Sequence, residues 1–368
     1  MKALIFLCVC IATALCGKGQ RFNDYALQIP KAQTYSTTAI AGYIQQNYKT
    51  DAEKLNAIYG WVITNIRYDA DSMYPINWSL EADEKIAATL RRRKGVCDNY
   101  ASLFTDIAAK SGFAAYAVSG YTKQSGFVTR AGHSWSAVCL QGSWFLCDPT
   151  WDIGNSSSPK YFLISPEEFI ETHMPFDPLW QLLEYPVTEH EFLKGGYPIK
   201  SSQRFFNFAD SAKIFLAMDS LQQLQSANLR IKLAGIETKR RKEWVDYNQM
   251  KIAIIYGEKD MNLYNAAVAD LNQANGMFNN FVNYRNTRFI PARTDAAVAA
   301  MLLPVKGLLA SAAAKLDQTG GAVENFQYDT GSIKARIDSL AAKLHEQQLF
   351  LNRYLASPLA EREKLFYK

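Results

Sequence analysis

Gly95-Val96-Cys97-Asp98-Asn99-Tyr100-Ala101, Gly132-His133-Ser134-Trp135-Ser136-Ala137-Val138 and Trp144-Phe145-Leu146-Cys147-Asp148-Pro149-Thr150-Trp151 are three pieces of one stretch, residues 95–151. A cysteine opens a helix, a histidine opens a strand and an aspartate closes the next strand. Arg91-Arg92-Arg93-Lys94 precedes the first piece. Leu103, Phe104, Ile107 and Ala108 then recur at helical spacing up to Ser111-Gly112, so Cys97 falls in the first turn of a helix. Free N–H groups and the positive end of the peptide dipoles gather there and favour a thiolate.

The register of the following hairpin can be derived on paper. Gln141-Gly142 lies between two strand-like runs and reads as a two-residue turn. Leu140 then opposes Ser143, Cys139 opposes Trp144, Trp135 opposes Asp148 and His133 opposes Thr150. Strand side chains alternate between faces, so His133, Trp135, Trp144 and Asp148 share one face. His133 and Asp148 become diagonal neighbours, roughly 7–8 Å apart at the backbone. A turn one residue longer or shorter would put them on opposite faces. Cys139 and Cys147 point to opposite faces, form no disulfide and read as small apolar strand residues. The predicted site is Cys97 as nucleophile, His133 as base and Asp148 as orienting acid, the parts of a cysteine acyl-transfer site. Trp135 and Trp151, which flank the pair, are the candidate substrate-binding side chains.

These motifs resemble the transglutaminase-like superfamily of cysteine enzymes, in its kyphoscoliosis peptidase-like branch of exported bacterial type. The resemblance rests on Gly-x-Cys at a helix start, a His-x-Trp strand and an Asp-x-Thr-Trp strand end. It extends upstream through Thr50-Asp51-Ala52-Glu53-Lys54, Ile58-Tyr59-Gly60-Trp61-Val62 and Ile66-Arg67-Tyr68-Asp69. Downstream it takes in Tyr161-Phe162-Leu163, Pro166-Glu167-Glu168-Phe169 and His173-Met174-Pro175, so it covers about residues 35–185. One departure is Ser134, where relatives often carry alanine. The resemblance implies an α+β fold with a papain/transglutaminase-like core, its cysteine-bearing helix packed on an antiparallel sheet, followed here by an α-helical bundle. It implies the same three catalytic residues.

The chemistry follows from the residues. Cys97 attacks a carboxamide carbonyl, a thioester forms, and His133 passes the proton to the leaving amine. The N–H of Cys97 is one oxyanion donor, and Trp61, Tyr68 and Trp78 are candidates for a second. Water as acceptor makes a peptidase or amidase; a lysine amine makes a crosslinking transglutaminase. Hydrolysis is the expectation, and a non-catalytic binding or scaffold module that kept the fold is the alternative class.

The rest of the chain sets bounds. Its 368 residues suffice for two domains, and the segmentation predicts a signal peptide over 1–19, a transglutaminase-like domain over 24–195 and a helical domain over 205–368. The joint is Lys194-Gly195-Gly196-Tyr197-Pro198 through Ser201-Ser202. Thr50 to Glu53 is a capping box for a helix running to about Asn65. Strands are predicted near 114–120, 134–140 and 143–148, with a polar loop from Gly120 to Gly132. Beyond Asp210 the pattern is helical: Ile333, Ile337, Leu340, Leu344, Leu351 and Leu355 form one apolar stripe, and Trp244, Met250, Ile254 and Met261 read as part of another. Such helices are core, or a surface for a partner protein.

Lys2 followed by the apolar run Ala3–Cys16 is an export signal, so the protein is expected in a periplasm or outside the cell. Lipid anchoring through Cys16 is disfavoured by Leu15, where such signals want a small residue. No other run is read as a membrane span. A net charge of +5 with no basic stripe gives no case for nucleic acid. The clusters Arg91–Lys94 and Lys239–Lys242 read as solvated. Without Cys-x-x-Cys, His-Glu-x-x-His or a glycine-rich phosphate loop, no metal or cofactor is expected. The implied partner is a protein or peptide substrate. Of the four histidines, His190 and His345 are distant, and His173 reads as a structural, hydrogen-bonded residue.

Overall fold

The computed structural model describes residues 29–72, 82–129, 131–155, 157–195, 205–320 and 329–367. The signal segment with Cys16, the joint at 196–202 and Trp78 lie outside the described residues.

Two helices open the fold, α1 (Thr37–Asn47) and α2 (Asp51–Asn65). The Ser36 hydroxyl caps α1 by accepting from Ala39 N–H. At α2, Thr50 and Glu53 cap each other's backbone at 2.9 and 3.2 Å, the capping box the sequence predicts. β1 (Arg67–Tyr68), α3 (Ala82–Arg92), β2 (Lys94–Gly95) and α4 (Cys97–Lys110) follow. Next come β3 (Ala115–Gln124), β4 (Phe127–Val128), β5 (His133–Leu140) and β6 (Ser143–Cys147). α5 (Pro166–Phe169), β7 (His173–Pro175), α6 (Glu189–Lys194), α7 (Phe208–Leu216) and α8 (Ser220–Leu233) complete this part. The remaining helices are α9 (Lys239–Asn286), α10 (Asp295–Ala300), α11 (Leu303–Asp317), α12 (Thr330–Ala356) and α13 (Leu359–Arg362).

The main sheet is antiparallel, in the order β4-β3-β5-β6, with β7 also paired to β3. Its register is the one derived from the sequence: Leu140 pairs with Ser143, Cys139 with Trp144 and Ser136 with Cys147. Gln141 and Gly142 both take positive φ (51° and 83°), the geometry of the primed hairpin turn that matches strand twist. On one side of the sheet, Tyr100, Leu103, Phe104 and Ile107 of α4 pack with α1, α2, Val138 and Cys147. On the other, Val118, Trp135 and Leu146 pack with Phe169, Leu179, Trp180 and Phe215. This is the α+β arrangement expected for the core.

The structure departs from the expected segmentation. The polar loop begins later than Gly120, because β3 continues to Gln124 and its Gly120, Tyr121 and Thr122 pair with β7. The chain divides into two compact units between Val245 and Asp246, not near 195–205. The reason is that α7 and α8 belong to the sheet unit. Ala212 and Phe215 bury under Trp135 and Trp180. Arg230 Nε and Nη2 on α8 donate to the two oxygens of Asp177 at 2.8 and 2.6 Å, a bidentate pair. The Lys239–Lys242 cluster is also not uniformly solvated. Arg241 is 2% exposed, donates to the Gly235 carbonyl and lies 3.9 Å from buried Glu189. Arg240 donates to the Thr129 carbonyl and lies over the Tyr121 ring.

In the second unit Ile333, Ile337, Leu340, Leu344 and Leu351 of α12 pack against Ala267, Leu271, Ala274, Phe278 and Phe281 of α9 and against α11. The second expected stripe is not core: Met250 and Ile254 are 51% and 52% exposed, and Trp244 instead stacks on Phe176 in the first unit. Among the described residues, 295–317 is long and apolar enough to cross a membrane, which corrects the expectation that no such run exists beyond the N-terminus. Its α10 and α11 bury Val298, Leu302, Val305, Leu309, Ala312 and Leu316 in this bundle core.

Gly120 is where β3 carries both neighbours, pairing with His133 and with Pro175. A Cβ there would sit 2.2 Å from the Met174 carbonyl oxygen and 2.5 Å from Trp135 Cη2. Gly120→Ala is therefore expected to lower stability to urea by about 1–3 kcal/mol. Gly42→Ala in α1, where a Cβ meets nothing within 4 Å, should raise it by about 0.5–1 kcal/mol.

Candidate active site

Cys97 is the first residue of α4, and the chain entering it is fixed on several sides. β1 and β2 pair in parallel, and Asp69 N–H donates to the Gly95 carbonyl. The buried Asp69 carboxylate accepts from Arg92 Nη2 at 2.7 Å and Lys94 Nζ at 2.9 Å. Tyr100 donates its hydroxyl to the Ile66 carbonyl. Asn99 Oδ1 accepts from Val96 N–H at 2.9 Å, and a Cβ on Gly95 would fall 2.5 Å from Asn99 Cβ. Arg93, at φ 53°, donates to Thr34 and lies over Trp61. The Arg91–Lys94 cluster thus holds the loop that enters Cys97 more than it decorates the surface, a correction to its solvated reading. Trp61 is buried beneath Arg93. Tyr68 is partly exposed on β1. The N–H of Cys97 opens a helix, where no intrahelical acceptor exists.

The structure brings Cys97, His133 and Asp148 together. His133 Nε2 lies 2.6 Å from Asp148 Oδ2, and the Cys97 side chain is near enough to the same imidazole to raise its pKa. Asp148 is 0% exposed. Its Oδ1 accepts from Thr150 N–H at 2.9 Å and Trp151 N–H at 3.3 Å. Its Oδ2 lies within hydrogen-bond distance of His133 Nε2 and also of His173 Nε2, at 3.1 Å. Asp148 N–H donates to the Tyr161 carbonyl, and the Tyr59 hydroxyl faces the Asp148 carbonyl at 2.9 Å. The same hydroxyl lies 2.6 Å from Asp152 Oδ2, and Asp152 also accepts from Lys160 N–H and Tyr161 N–H.

His173 and Asp152 are the site neighbours that sequence reasoning did not connect to Asp148. His173 is hydrogen-bonded, as read, but its partner is Asp148 itself. β7 delivers it by pairing His173 with Thr122 of β3, a contact that no local pattern announces. Asp152 is the second acid of Asp148-Pro149-Thr150-Trp151-Asp152, and that repeat was the available signal.

Charge follows geometry. Burial alone would push the His133 pKa down, but the charge and hydrogen bond of Asp148 and the bond to Cys97 outweigh it and raise it to about 10. Burial likewise opposes ionisation of Asp148, yet His133 and His173 hold its carboxyl far below the usual range. Burial lowers the His173 pKa despite its bond to Asp148.

The two tryptophans differ. Trp135 is 0% exposed, so it has no surface for a substrate; this corrects its assignment. Trp151 is half-buried, its ring 5.8 Å from His133 and 4.4 Å from His173. Cys147 is buried, accepts from Leu163 N–H, and burial pushes its thiol up to about 12. Cys139 and Cys147 are free thiols. His133, Asp148 and His173 also have the spacing of a cation site, their donor atoms lying within 4.8 Å of one another. Separations of 2.6 and 3.1 Å are hydrogen-bond lengths, and both carboxylate oxygens already accept from N–H groups. The donor set is satisfied as a proton network.

Residues 38–149 match the family model of the transglutaminase-like superfamily. That segment is similar to the superfamily. The mouse (Mus musculus) kyphoscoliosis peptidase is 33% identical over 171 residues, 41% of this chain and 25% of that protein. The Homo sapiens protein of the same name is 32% identical over 197 residues, 48% of this chain and 29% of its own. Hillarin of Drosophila melanogaster is 25% identical over 198 residues, 45% of this chain and 23% of its own. The chain thus spans about a quarter of the length of these relatives. A solved structure of a putative cysteine protease from Cytophaga hutchinsonii is 17% identical, with a TM-score of 0.26 over 35% of this chain and 43% of that one. The match ends one residue past Asp148 and includes Cys97 and His133.

The coupled charges give a pH signature. A depressed Asp148 pKa contributes stability that is present above its unfolded value of 3.8 and lost as pH falls through the folded value. A raised His133 pKa contributes stability that is complete below 6.5 and lost as pH rises through about 10. Asp148→Asn should cost about 3 kcal/mol in denaturant titrations between about pH 4 and 6.5, with the gap closing on either side.

Proposed function

We propose that this chain is an exported cysteine acyl-transfer enzyme that hydrolyses amide bonds of proteins or peptides. The observation that carries the proposal is the continuous relay from Cys97 through His133 to the buried Asp148. Cys97 sulfur attacks the carbonyl carbon, its proton held on His133. The C–N bond breaks as His133 gives that proton to the leaving amine, leaving a thioester. Water then gives a proton to His133 and its oxygen to the carbonyl carbon; the C–S bond breaks and the acid departs. Asp148 keeps the imidazole aimed and balances its charge. Cys97 N–H, at the start of α4, is positioned to stabilise the oxyanion. Trp151, half-buried beside His133, is the aromatic wall for substrate. The name peptidase borne by two relatives favours water over a lysine amine as acceptor. Export through the N-terminal segment and a partner-binding role for the C-terminal helices belong to the same proposal.

The test is alkylation of Cys97 by iodoacetamide at pH 6, where an ordinary thiol of pKa about 8.5 is almost wholly protonated. Rapid labelling of the wild type, slowed about tenfold or more in His133→Ala, is expected. Peptide-bond cleavage in Cys97→Ala should fall by about 1,000-fold or more. Labelling at the rate of a free thiol in both proteins would sink the enzyme and leave a binding module.

A further inference from the structure

His173 has no part in the reaction just described, yet it touches the residue that orients it. Its Nε2 stands 3.1 Å from the Asp148 oxygen that His133 approaches to 2.6 Å. The side chain is fully buried, stacked on Phe169 at 3.9 Å and 27° and lying 4.4 Å from the Trp151 ring. Nδ1 lies 2.8 Å from Thr172 Oγ1, and the Phe169 carbonyl also faces the ring.

Proton positions follow from these neighbours. Burial and the nearby charge of His133 both disfavour a second imidazolium, so the ring carries one proton. The Nδ1–H tautomer would set a nitrogen lone pair against an Asp148 oxygen at 3.1 Å. The Nε2–H tautomer replaces that repulsion with a charge-assisted hydrogen bond, stronger than the neutral one Nδ1–H would make to the Phe169 carbonyl, and lets the Thr172 hydroxyl turn from that carbonyl at 3.5 Å to Nδ1 at 2.8 Å.

We infer that His173 is a positioning residue, a neutral second imidazole whose Nε2–H shares Asp148 Oδ2 with His133. The inference rests on the reaction proposed above. Two donors on one oxygen divide its accepting capacity, so His173 limits how much charge His133 draws from Asp148 while pinning the carboxylate in place. The other titratable groups around the pair are Cys97 from α4, Tyr59 from α2, Cys147 from β6, and Asp152 and Tyr161 from the segment after β6. None of them donates a side-chain hydrogen bond to Oδ2 in the described hydrogen bonds.

The test is long-range 1H–15N NMR of the imidazoles in the full-length protein. His173 is expected as an Nε2–H tautomer that stays neutral between about pH 7 and 9, any titration lying below that of a free histidine of pKa about 6.5. In His173→Phe, which keeps a ring and loses the donor, the His133 midpoint should rise by about half a unit. In His173→Gln, whose amide N–H can reach the same oxygen, it should stay at the wild-type value. An Nδ1–H tautomer, or a His173 that titrates between about pH 7 and 9, in the wild type overturns the inference even if no variant folds, and so does an unmoved midpoint in the Phe variant. Rapid Cys97 alkylation with an unmoved midpoint defeats the coupling alone. Slow alkylation with a shifted midpoint defeats the reaction and leaves the coupling standing.

Discussion

One buried carboxylate organises this site. Asp148 has no exposed surface, yet four N–H groups point at its two oxygens: two backbone amides on Oδ1 and two imidazoles on Oδ2. An unpaired charge in that position would be very costly, so the surroundings are arranged to keep it ionised and satisfied. The turn after β6 supplies the amides, β5 supplies His133 and β7 supplies His173. The crossing of β5 and β7 at Gly120 of β3 is what lets both imidazoles reach one oxygen. The shape of the sheet and the charge state of the site are therefore the same constraint seen at two scales.

Much of this was legible because the deciding relations are local. A two-residue turn and a period of two fix which side chains of β5 and β6 share a face, and Gln141 and Gly142 take the positive φ values that such a turn needs. The start of α4 was legible for the same reason. His173 was not, because its partner lies 25 residues away across a third strand. Nor was the burial of Arg241, since a run of four basic residues looks alike whether one member points inward or none does; only the approach of Glu189 from α6 distinguishes them. The boundary was misplaced because an amphipathic helix announces that it has an apolar face but not which core receives it. Ala212 and Phe215 of α7 turned out to seal the sheet.

The two compact units differ in what holds them. The first is tied by long-range polar pairs beneath its helices, Asp177 with Arg230 and Asp69 with Arg92 and Lys94, each joining segments far apart in sequence. The second is built from apolar stripes on long helices, in which Leu351 and Phe281 are fully buried. Removing one partner from a buried pair strands a charge, whereas trimming a stripe leaves a void. The family match lies wholly within the first unit.

The hydroxyl of Tyr59 owns a single hydrogen, yet three oxygens surround it: Asp152 Oδ2, the Asp148 carbonyl and the Tyr161 carbonyl. The shortest of the three contacts takes it: Tyr59 donates to Asp152 Oδ2, and Lys160 N–H and Tyr161 N–H reach the same carboxylate. Burial raises the Asp152 pKa while these bonds act to lower it. The acid at the end of Asp-Pro-Thr-Trp-Asp thus works as a tie, fastening Tyr59 of α2 to the segment after β6. Through that tie a helix on one side of the sheet braces the backbone that carries Asp148.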